Sequence, residues 1–405
     1  MSRRVLISGA SIAGNAVAWW LGHYGFDVVV VEKAEGFRDG GQNIDVRGPG
    51  REVLRRMGLE RTALEMGTGE TGTTWVDADG KVIAQVITAE LGSDGPTAEM
   101  EILRGDLARL IFEPASKSAD FRFGESIAAI EHDGAEASVT FASGRIERFD
   151  IVIVAEGVGS STREQQFPGE NNPRYMDMTI AYFTIPKAPD DNGSWRLYNT
   201  VGSRTISLRP DMHGTTRASL SILKRPDDEQ KWDVDRQKSW LHRQFGDAGY
   251  ESRRILDGMD QTKDFYFDVL RQVRMPRWSR ANIALTGDAA WCVTPMGGLG
   301  ATLAVVGGYV LAGELASRPD VPSAFEAYER VMRPYVERTQ NIPKGVARLA
   351  NPRSRLGITL FHGILRVVTV PFVSKLLVKV FTRKSEKFQL PDYATPAPNA
   401  ARRVG

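Results

Sequence analysis

The order of apolar and polar positions at the start of the chain predicts a strand, a tight turn, a helix and a second strand. Residues 3–8 form a short apolar run, residues 12–24 have helical spacing, and residues 27–32 (DVVVVE) form a Val-rich strand without alternation. Because this second strand is apolar on both faces, it should lie at the centre of a parallel sheet that helices cover. The pattern therefore predicts a doubly wound, Rossmann-like start.

The pattern changes after this unit. Residues 51–58 (REVLRRMG) predict a helix closed by Gly58, and TTWVDADGKVIAQVI alternates around the turn DADG as a hairpin does. Residues 102–116 have helical spacing, and residues 121–149 predict a β-meander. The meander leads into another apolar strand at residues 151–154, which is typical of a parallel sheet.

Residues 171–270 are richer in aromatic side chains and in alternation. SWRLYNT, SRTISLRP and TTRASLSIL predict antiparallel strands, and WDVDRQKSWLHRQF predicts a helix. From residue 282 the sequence returns to an apolar strand, a glycine turn and a long helix, so the first domain resumes after an insertion. We therefore predict an α/β fold with an inserted α+β domain built on an antiparallel sheet.

Composition and charge narrow the class of protein. The 405 residues, 42% of them apolar, can bury a large core, and 52 basic and 50 acidic residues are well mixed, with a net charge of +2. Because nucleic-acid binding needs a basic stripe, we expect no nucleic-acid partner. The single cysteine, Cys292, excludes an intramolecular disulfide and disfavours a cysteine-built metal site. With no signal-peptide pattern before the first strand, we expect a cytoplasmic protein.

The most apolar late segment, RLGITLFHGILRVVTVPFVSKLLVKVF, raises the question of a membrane. His362, Arg366, Pro371, Lys375 and Lys379 interrupt it, so no run reaches the ~18 uncharged residues of a membrane span. We interpret the segment as helices packed on the body of the protein and expect no membrane partner. A helix lying in the membrane interface is the alternative, because cations recur beside apolar residues.

The first turn, GASIAG, has the spacing of a dinucleotide-binding motif with one change. In G-x-G-x-x-G the first glycine permits the tight turn, the second lets the backbone approach a pyrophosphate, and the third lets the helix pack on the strand. Gly9 and Gly14 occupy the first and third positions, and Ser11 replaces the second. The helix starting at Ile12 still offers its N-terminus to an anion. Glu32 is placed for a ribose, although an ordinary surface glutamate beside a glycine turn is the alternative.

Two more glycine-rich turns follow apolar strands. AEGVGSSTR contains Glu156, Gly157, Ser160 and Arg163, and a turn followed by a capped helix is its simpler explanation. TGDAAW is followed by Pro295 and by GGLGA at a helix start. An aspartate after a strand can hold ribityl or ribose hydroxyls, and a glycine-rich helix start can meet negative charge on a bound ring. A buried glycine-rich helix start is the alternative.

These three motifs, in this order, resemble those of the group A flavin-dependent monooxygenases, the relatives of p-hydroxybenzoate hydroxylase, over roughly residues 3–340. Within that superfamily the chain is most similar to tetracycline-inactivating and polyketide-tailoring enzymes. The resemblance implies that the first motif binds the ADP half of FAD, the second serves FAD and NAD(P)H, and the third binds the ribityl chain. The expected division is an FAD-binding domain at 1–72, 98–170 and 275–345, a substrate domain at 73–97 and 171–274, C-terminal helices at 346–392 and a frayed tail at 393–405.

The resemblance also assigns individual positions. Arg104, in R-x-x-L, matches an FAD-contacting arginine, and Asp45 and Arg47 match positions that reach the flavin. Arg38 matches an arginine linked to NAD(P)H binding, with a solvated loop cation as the alternative. The cofactor-binding candidates are Gly9, Ser11, Ile12, Ala13, Gly14, Glu32, Lys33, Asp45, Arg47, Arg104, Glu156, Gly157, Asp288, Pro295, Gly298, Leu299, Gly300 and Ala301.

The chain departs from the family pattern at several positions. Glu156 replaces the usual aspartate, and Trp291 replaces the usual histidine after GDAA. Leu299 and Thr302 replace the glutamine and asparagine of G-Q-G-x-N, and Gly307 replaces an aspartate. Backbone contacts to a flavin survive such changes, whereas side-chain contacts do not.

The activity implied by the resemblance is that of an FAD-dependent monooxygenase. NADPH or NADH reduces FAD, O2 adds at flavin C4a, and the hydroperoxide transfers one oxygen atom to an aromatic or polyketide-like small molecule, as in antibiotic modification or biosynthesis. Hydroxylation and Baeyer-Villiger insertion both stay open, as do a monomer and a homodimer. We predict no catalytic acid or base from the protein and no metal site.

Strand alternation marks Trp195, Tyr198, Arg209 and Arg217 as candidates for the substrate wall, although aromatic stripes also line protein cores. Two other functions fit the motifs. One is an FAD oxidoreductase of the same fold that does not activate oxygen, either reductase-like or halogenase-like, although the chain has no W-x-W-x-I-P sequence. The other is a flavin-bound binding or sequestering protein without turnover.

Overall fold

The structure is a computed structural model. It describes residues 2–38, 40–87, 100–132, 136–343, 345–370 and 388–393. The helices are α1 Ile12–His23, α2 Pro49–Arg56, α3 Glu60–Glu65, α4 Arg104–Ala115, α5 Ser161–Gln166, α6 Val234–Phe245, α7 Ser252–Gln261, α8 Asp288–Trp291, α9 Gly300–Ser317, α10 Val321–Gln340, α11 Val346–Ala350 and α12 Arg355–Val368. The first nine strands are β1 Arg4–Ser8, β2 Asp27–Glu32, β3 Asn43–Asp45, β4 Gly72–Val76, β5 Val82–Ile87, β6 Glu101–Leu103, β7 Ala119–Phe123, β8 Ile127–His132 and β9 Ala137–Phe141. The others are β10 Ile146–Phe149, β11 Ile151–Val154, β12 Arg174–Pro186, β13 Ser194–Thr200, β14 Arg204–Pro210, β15 Thr215–Leu223, β16 Tyr266–Gln272, β17 Ser279–Arg280 and β18 Ile283–Leu285.

A six-stranded sheet in the order β17-β18-β11-β1-β2-β7 forms the first layer. Its strands are parallel except at the edge, where β17 pairs antiparallel with β18. The central strands β1, β2 and β11 are buried on both faces, as continuous apolar runs require. Helices α1 and α9 pack on this sheet and on one another. The predicted Rossmann-like α/β fold is confirmed.

A seven-stranded sheet in the order β16-β12-β15-β14-β13-β4-β5 forms the second layer. The β4–β5 hairpin comes from the first part of the chain and joins the inserted strands through parallel pairing of β4 with β13. Helices α6 and α7 lie over one face, where Phe183, Leu208, Leu220, Leu241 and Ile255 form a separate apolar core. The opposite face is left to line a cavity between the two sheets.

Three details differ from the pattern-based prediction. Residues 101–103 form strand β6, paired with β3, so the predicted helix begins only at Arg104. Strand β7, expected in the meander, pairs parallel with β2 instead, because it continues the open edge of the first sheet. Helix α7 was not predicted. The parts of the expected substrate domain at 88–97, of the C-terminal helices at 371–387 and of the tail from 394 lie outside the described residues.

Helix α9 runs through the main core. Among the described residues it is the one helix long and apolar enough to cross a bilayer, and 72% of it is buried in the protein. Its apolar surface is therefore used to pack against α1 and α10.

Candidate functional site

A cavity of about 1850 Å³ lies between the two sheets, and the glycine-rich turns meet along one side of it. We call this side the cofactor wall: the turn at 9–13, residues 156 and 157, Asp288 and the start of α9. The face of β12 to β15 that lines the other side is the substrate wall. Almost all the predicted cofactor positions line the cavity, and Gly14 lies just behind them.

The GASIAG turn requires glycine at both ends. Gly9 has a φ of +108°, and a Cβ there would lie 2.5 Å from the Ala155 carbonyl oxygen. A Cβ on Gly14 would lie 1.9 Å from the Gly9 carbonyl oxygen. Ser11, in contrast, is extended and immediately precedes α1, so its side chain is free to point at the cavity. The N-terminus of this twelve-residue helix is therefore a fit site for a pyrophosphate.

Ser11 connects the first motif to the R-x-x-L arginine. Arg104 begins α4 and donates a hydrogen bond of 2.8 Å from Nη2 to Ser11 Oγ. The serine that replaces the second glycine thus holds a cation over the anion-binding helix start. Both residues line the cavity, which is what their assignment to FAD requires.

Glu32 lies at the end of this wall beside the GASIAG turn. Its two carboxylate oxygens accept hydrogen bonds of 3.0 Å from the backbone N–H groups of Ala10 and Ala34. Each oxygen keeps a second lone pair for a ribose hydroxyl. Lys33 and the exposed Arg38 line the same end of the cavity.

Glu156 ties three elements together at the second motif. Its carboxylate accepts hydrogen bonds from the hydroxyls of Ser8, Ser160 and Thr162 and from the Thr162 N–H, at 2.6 to 3.1 Å. The extra methylene relative to aspartate lets one carboxylate reach both the end of β1 and the start of α5. Glu156 lines the cavity, but its hydrogen bonds connect β1 to the start of α5 and so stabilise the fold.

Arg163 connects the second motif to the third. Its guanidinium is 4% exposed and donates to the carbonyl oxygens of Val158 and Ala289 at 3.1 and 3.2 Å. Gly287, with a φ of +59°, allows α8 to approach α1, since a Cβ there would lie 2.7 Å from Ala13 Cβ. The three motifs are therefore linked by direct contacts and hydrogen bonds.

Asp288 points into the cavity from the first turn of α8. Its side chain is exposed to the cavity, but desolvation by the protein around it raises the pKa of its carboxyl above the usual value, while the charge of Arg104 opposes this shift. The neighbouring Cys292 thiol also has its pKa raised by burial. A short turn at Pro295–Gly297 then leads through Gly298, with a φ of +68°, to the N-terminus of α9.

The Asp45–Arg47 segment rests on the start of α9. Asp45 and Arg47 form an ion pair of 2.9 Å, and the Arg47 N–H donates to Thr302 Oγ1 at 3.0 Å. Thr302, which replaces the family asparagine, is fully buried, and its hydroxyl oxygen holds this loop by accepting the hydrogen bond from Arg47. Leu299 and Ala301 complete the helix start beside it, and both line the cavity.

Two of the other departures compensate each other. Trp291 is 1% exposed and packs against Trp278 and Tyr328 with ring centroids 4.5 and 5.9 Å away. A Cβ on Gly307 would lie 2.9 Å from Trp291 Cζ2. The large indole at 291 therefore needs the glycine at 307, and neither residue points into the cavity.

Three of the four predicted substrate positions, Trp195, Arg209 and Arg217, line the cavity on the substrate wall, whereas Tyr198 does not. Tyr198 lies three residues after Trp195 and therefore faces the opposite side of β13. It is 6% exposed in the core under α6 and α7, and its hydroxyl donates to the Ala248 carbonyl at 2.7 Å. We drop Tyr198 from the candidate substrate residues.

Sequence reasoning missed the carboxylates behind Arg209. The guanidinium stacks over the Trp195 ring at 4.3 Å, and it lies 2.8 Å from a carboxyl oxygen of Glu70 and 2.8 Å from one of Glu101. Burial raises the pKa of Glu70 to about 8, and the nearby Glu101 charge adds to the shift although Arg209 opposes it. Glu70 lies in a loop and Glu101 lies in β6, and neither belongs to a sequence motif that predicts a binding or catalytic site.

The described residues contain no group of three or more His, Cys, Asp or Glu side chains that could hold a metal ion.

Comparison with known proteins agrees with this geometry. The family described as "FAD binding domain" matches residues 2–341. The chain is 34% identical to monooxygenase CTB7 of Cercospora beticola, covering 97% of this chain and 98% of that protein. It is 30% identical to FAD-dependent monooxygenase asL6 of Sarocladium schorii, with 97% and 98% covered. The crystal structure of tetracycline destructase Tet(51) superposes with a TM-score of 0.81 at 27% identity, covering 97% of this chain and 100% of that one.

Proposed function

The chain belongs to the FAD-binding domain family of group A flavin-dependent monooxygenases, and from this premise we propose that it consumes NAD(P)H and O2 to insert one oxygen atom into a planar, polyketide-like small molecule. The observation that carries the proposal is the cavity between the two sheets. It has two helix N-termini on the cofactor wall and an aromatic and polar sheet face opposite them.

The residues on the cofactor wall fit FAD. The turn at Gly9 and the N-terminus of α1 would hold the pyrophosphate with Arg104, and Glu32 would hold the adenosine ribose. Asp288 would hold the ribityl chain, and the N-terminus of α9 would face the flavin ring. FAD, once bound and reduced, supplies the oxygen chemistry of this class of enzyme.

The protein's own part is electrostatic and steric. The N-terminus of α9 stabilises negative charge beside it, with no reorganisation at the moment of reaction. The substrate wall covers the opposite side of the cavity, and a substrate bound against it would displace water from beside the cofactor wall. No protein side chain is needed to act on a bond of the substrate.

The test uses the purified protein loaded with FAD. NADPH and NADH are each added without oxygen while the visible flavin absorption is followed, and oxygen uptake and product mass are then measured with tetracycline. We expect bleaching by one or both nucleotides and a product heavier by one oxygen atom. An FAD-loaded protein that neither nucleotide reduces would favour a binding or sequestering protein, and reduction without oxygen transfer would favour a reductase.

Arg38 tests the nucleotide part of the proposal. It is exposed at the cavity rim, where a phosphate or ribose could reach it. We expect Arg38→Ala to raise the KM for NADPH about tenfold, as loss of one charge-assisted contact does. Arg253→Ala, which removes an exposed cation away from the cavity, is the matched control. An unchanged KM in Arg38→Ala would show that the residue is a solvated loop cation.

A further inference from the structure

The register of the seven-stranded sheet sets out the substrate wall as a regular grid. Ser207 pairs with Ser219 and Thr205 pairs with Ser221 across β14 and β15, and all four line the cavity. On the far side of β15, Tyr182 pairs with Ser219 and Ile180 pairs with Ser221. On the far side of β14, Leu197 pairs with Ser207. The result is a central patch of hydroxyls flanked by larger side chains, suited to a flat molecule.

Two of the four hydroxyl groups are already used by the protein. Ser207 Oγ accepts from Trp195 Nε1 at 2.6 Å. Thr205 Oγ1 accepts from Asn199 and donates to Asn351 Oδ1 at 2.7 Å. These bonds fix the Trp195 ring and attach the segment before α12 to the end of the wall.

The hydroxyls of Ser219 and Ser221 have no hydrogen-bond partner among the described residues. Ser221 is 8% exposed, and both side chains line the cavity. Both hydroxyls face the cavity, so a ligand that enters it can exchange hydrogen bonds with them.

The arginines that line this side of the cavity are each paired with carboxylates. Arg217 forms ion pairs with Asp211 at 2.9 Å and Asp264 at 3.1 Å. Although burial opposes it, hydrogen bonds from Thr215 and the charge of Arg217 hold the pKa of Asp211 below its usual value. Arg209 pairs with Glu101 at 2.8 Å, and Arg271 pairs with Asp268 at 3.0 Å. A substrate carboxylate would therefore meet carboxylates behind each arginine of this wall.

Resting on the proposed monooxygenase function, we propose that Ser219 and Ser221 recognise the oxygen-rich edge of an uncharged, planar polycyclic substrate, and that the wall selects against carboxylated aromatics. The ring system lies between Tyr182 on one side and Leu197 on the other, and its hydroxyl or carbonyl oxygens exchange hydrogen bonds with the two serines. This assigns substrate class and specificity to residues that no glycine motif contains.

The test is a binding titration of the FAD-loaded protein, followed by the change in visible flavin absorption, without NAD(P)H. The probes are anthraquinone, its dihydroxy derivative danthron, and rhein, which is danthron with one carboxylate. We expect danthron to bind about tenfold more tightly than anthraquinone, the value of two ordinary hydrogen bonds, and rhein to bind more weakly than danthron. Binding of rhein as tight as that of danthron or tighter, equal binding of danthron and anthraquinone, or binding of none of the three would overturn the proposal.

The double variant Ser219→Ala with Ser221→Ala identifies the residues. We expect it to weaken danthron binding about tenfold and to leave anthraquinone binding within about twofold of the wild type. The single variants should each lose about threefold. Ser138→Ala, on β9 of the separate three-stranded sheet, is the matched control and should change nothing. Unchanged danthron binding in the double variant contradicts the assignment.

The outcome is separable from that of the proposed function. A protein that prefers danthron but never oxidises NAD(P)H would refute the monooxygenase proposal and leave the wall's selectivity intact. A protein that turns over a carboxylated aromatic with FAD and NADPH would do the reverse.

Discussion

On the cofactor wall, backbone atoms of successive turns approach one another so closely that glycine is required, whereas on the substrate wall side chains of four strands meet the cavity. Gly9 and Gly14 leave no room for a Cβ. The substrate wall instead depends on which side chain each strand position carries, as the placement of Trp195 and Tyr198 on opposite faces shows. A substitution on the cofactor wall should therefore destabilise the fold, and a substitution on the substrate wall should reduce the selectivity for substrates.

The sharpest test of this difference is Gly14→Ala. The new methyl group would lie 1.9 Å from the Gly9 carbonyl oxygen and 3.4 Å from Ile7 Cγ2, so β1 and α1 must separate. We expect a loss of about 3 kcal/mol or more in unfolding free energy and no retained FAD, measured by thermal unfolding and by flavin absorption. Gly36→Ala, where no atom lies within 4 Å of the new Cβ, is the control. Normal FAD content in Gly14→Ala would show that the turn tolerates movement.

A second test uses the compensating pair behind the cofactor wall. We expect Gly307→Ala to cost about 1–3 kcal/mol, because its Cβ meets the Trp291 ring at 2.9 Å. Adding Trp291→His should recover part of that loss, giving a coupling of about 1 kcal/mol in a double-mutant cycle of chemical unfolding. Strict additivity would mean that the two positions departed from the family pattern independently.

On the substrate wall, the pH dependence of stability reports on Glu70. The folded protein keeps the Glu70 proton up to about pH 8, whereas an unfolded glutamate releases it near 4.5, so rising pH between these values removes stability. The glutamine in Glu70→Gln has no carboxyl proton to lose. Above pH 8 the Tm of this variant should therefore exceed the wild-type Tm by about 2–5 °C, whereas below pH 4.5 it should not exceed it.

The exposed Glu131 provides the control for this experiment, and the Tm difference between Glu131→Gln and the wild type is measured over the same pH range. A pH-independent Tm difference between Glu70→Gln and the wild type would show that folding does not raise the pKa of Glu70.

The smallest effect is expected at Ser11. Ser11→Gly restores the second glycine of the usual motif and removes one hydrogen bond to Arg104. We expect the Kd for FAD to change about threefold or less, measured by quenching of flavin fluorescence. A loss above about tenfold would mean that the serine, through Arg104, is a principal anchor of the pyrophosphate.

The comparison also explains what could be predicted from sequence. Glycine positions such as Gly9 and the unalternating DVVVVE strand report backbone constraints, so the parallel sheet and the cofactor wall could be located without a structure. The position of β6 could not, because its pairing with β3 joins two segments that carry no local strand signal. Strict alternation from Arg217 would have pointed to Ser219 and Ser221, and strict alternation from Trp195 would have rejected Tyr198.

The carboxylates behind Arg209 mark the limit of sequence reasoning. Glu70 lies in a loop, Glu101 in β6 and Arg209 in β14, and only the packing of the β3–β6 pair against the seven-stranded sheet brings them together. The charge balance of the substrate wall is therefore a tertiary property that none of these segments encodes alone.

The pairing of β4 with β13 has a consequence for how the protein is made on the ribosome. Roughly 120 residues separate these parallel partners, so the β4–β5 hairpin emerges long before its neighbour is synthesised. At about 5–20 residues per second that interval lasts on the order of 10 s, during which one edge of the hairpin has no partner strand. The hairpin and the inserted strands form one folding unit, and a fragment cut at the boundaries of the insertion would expose the same edge permanently.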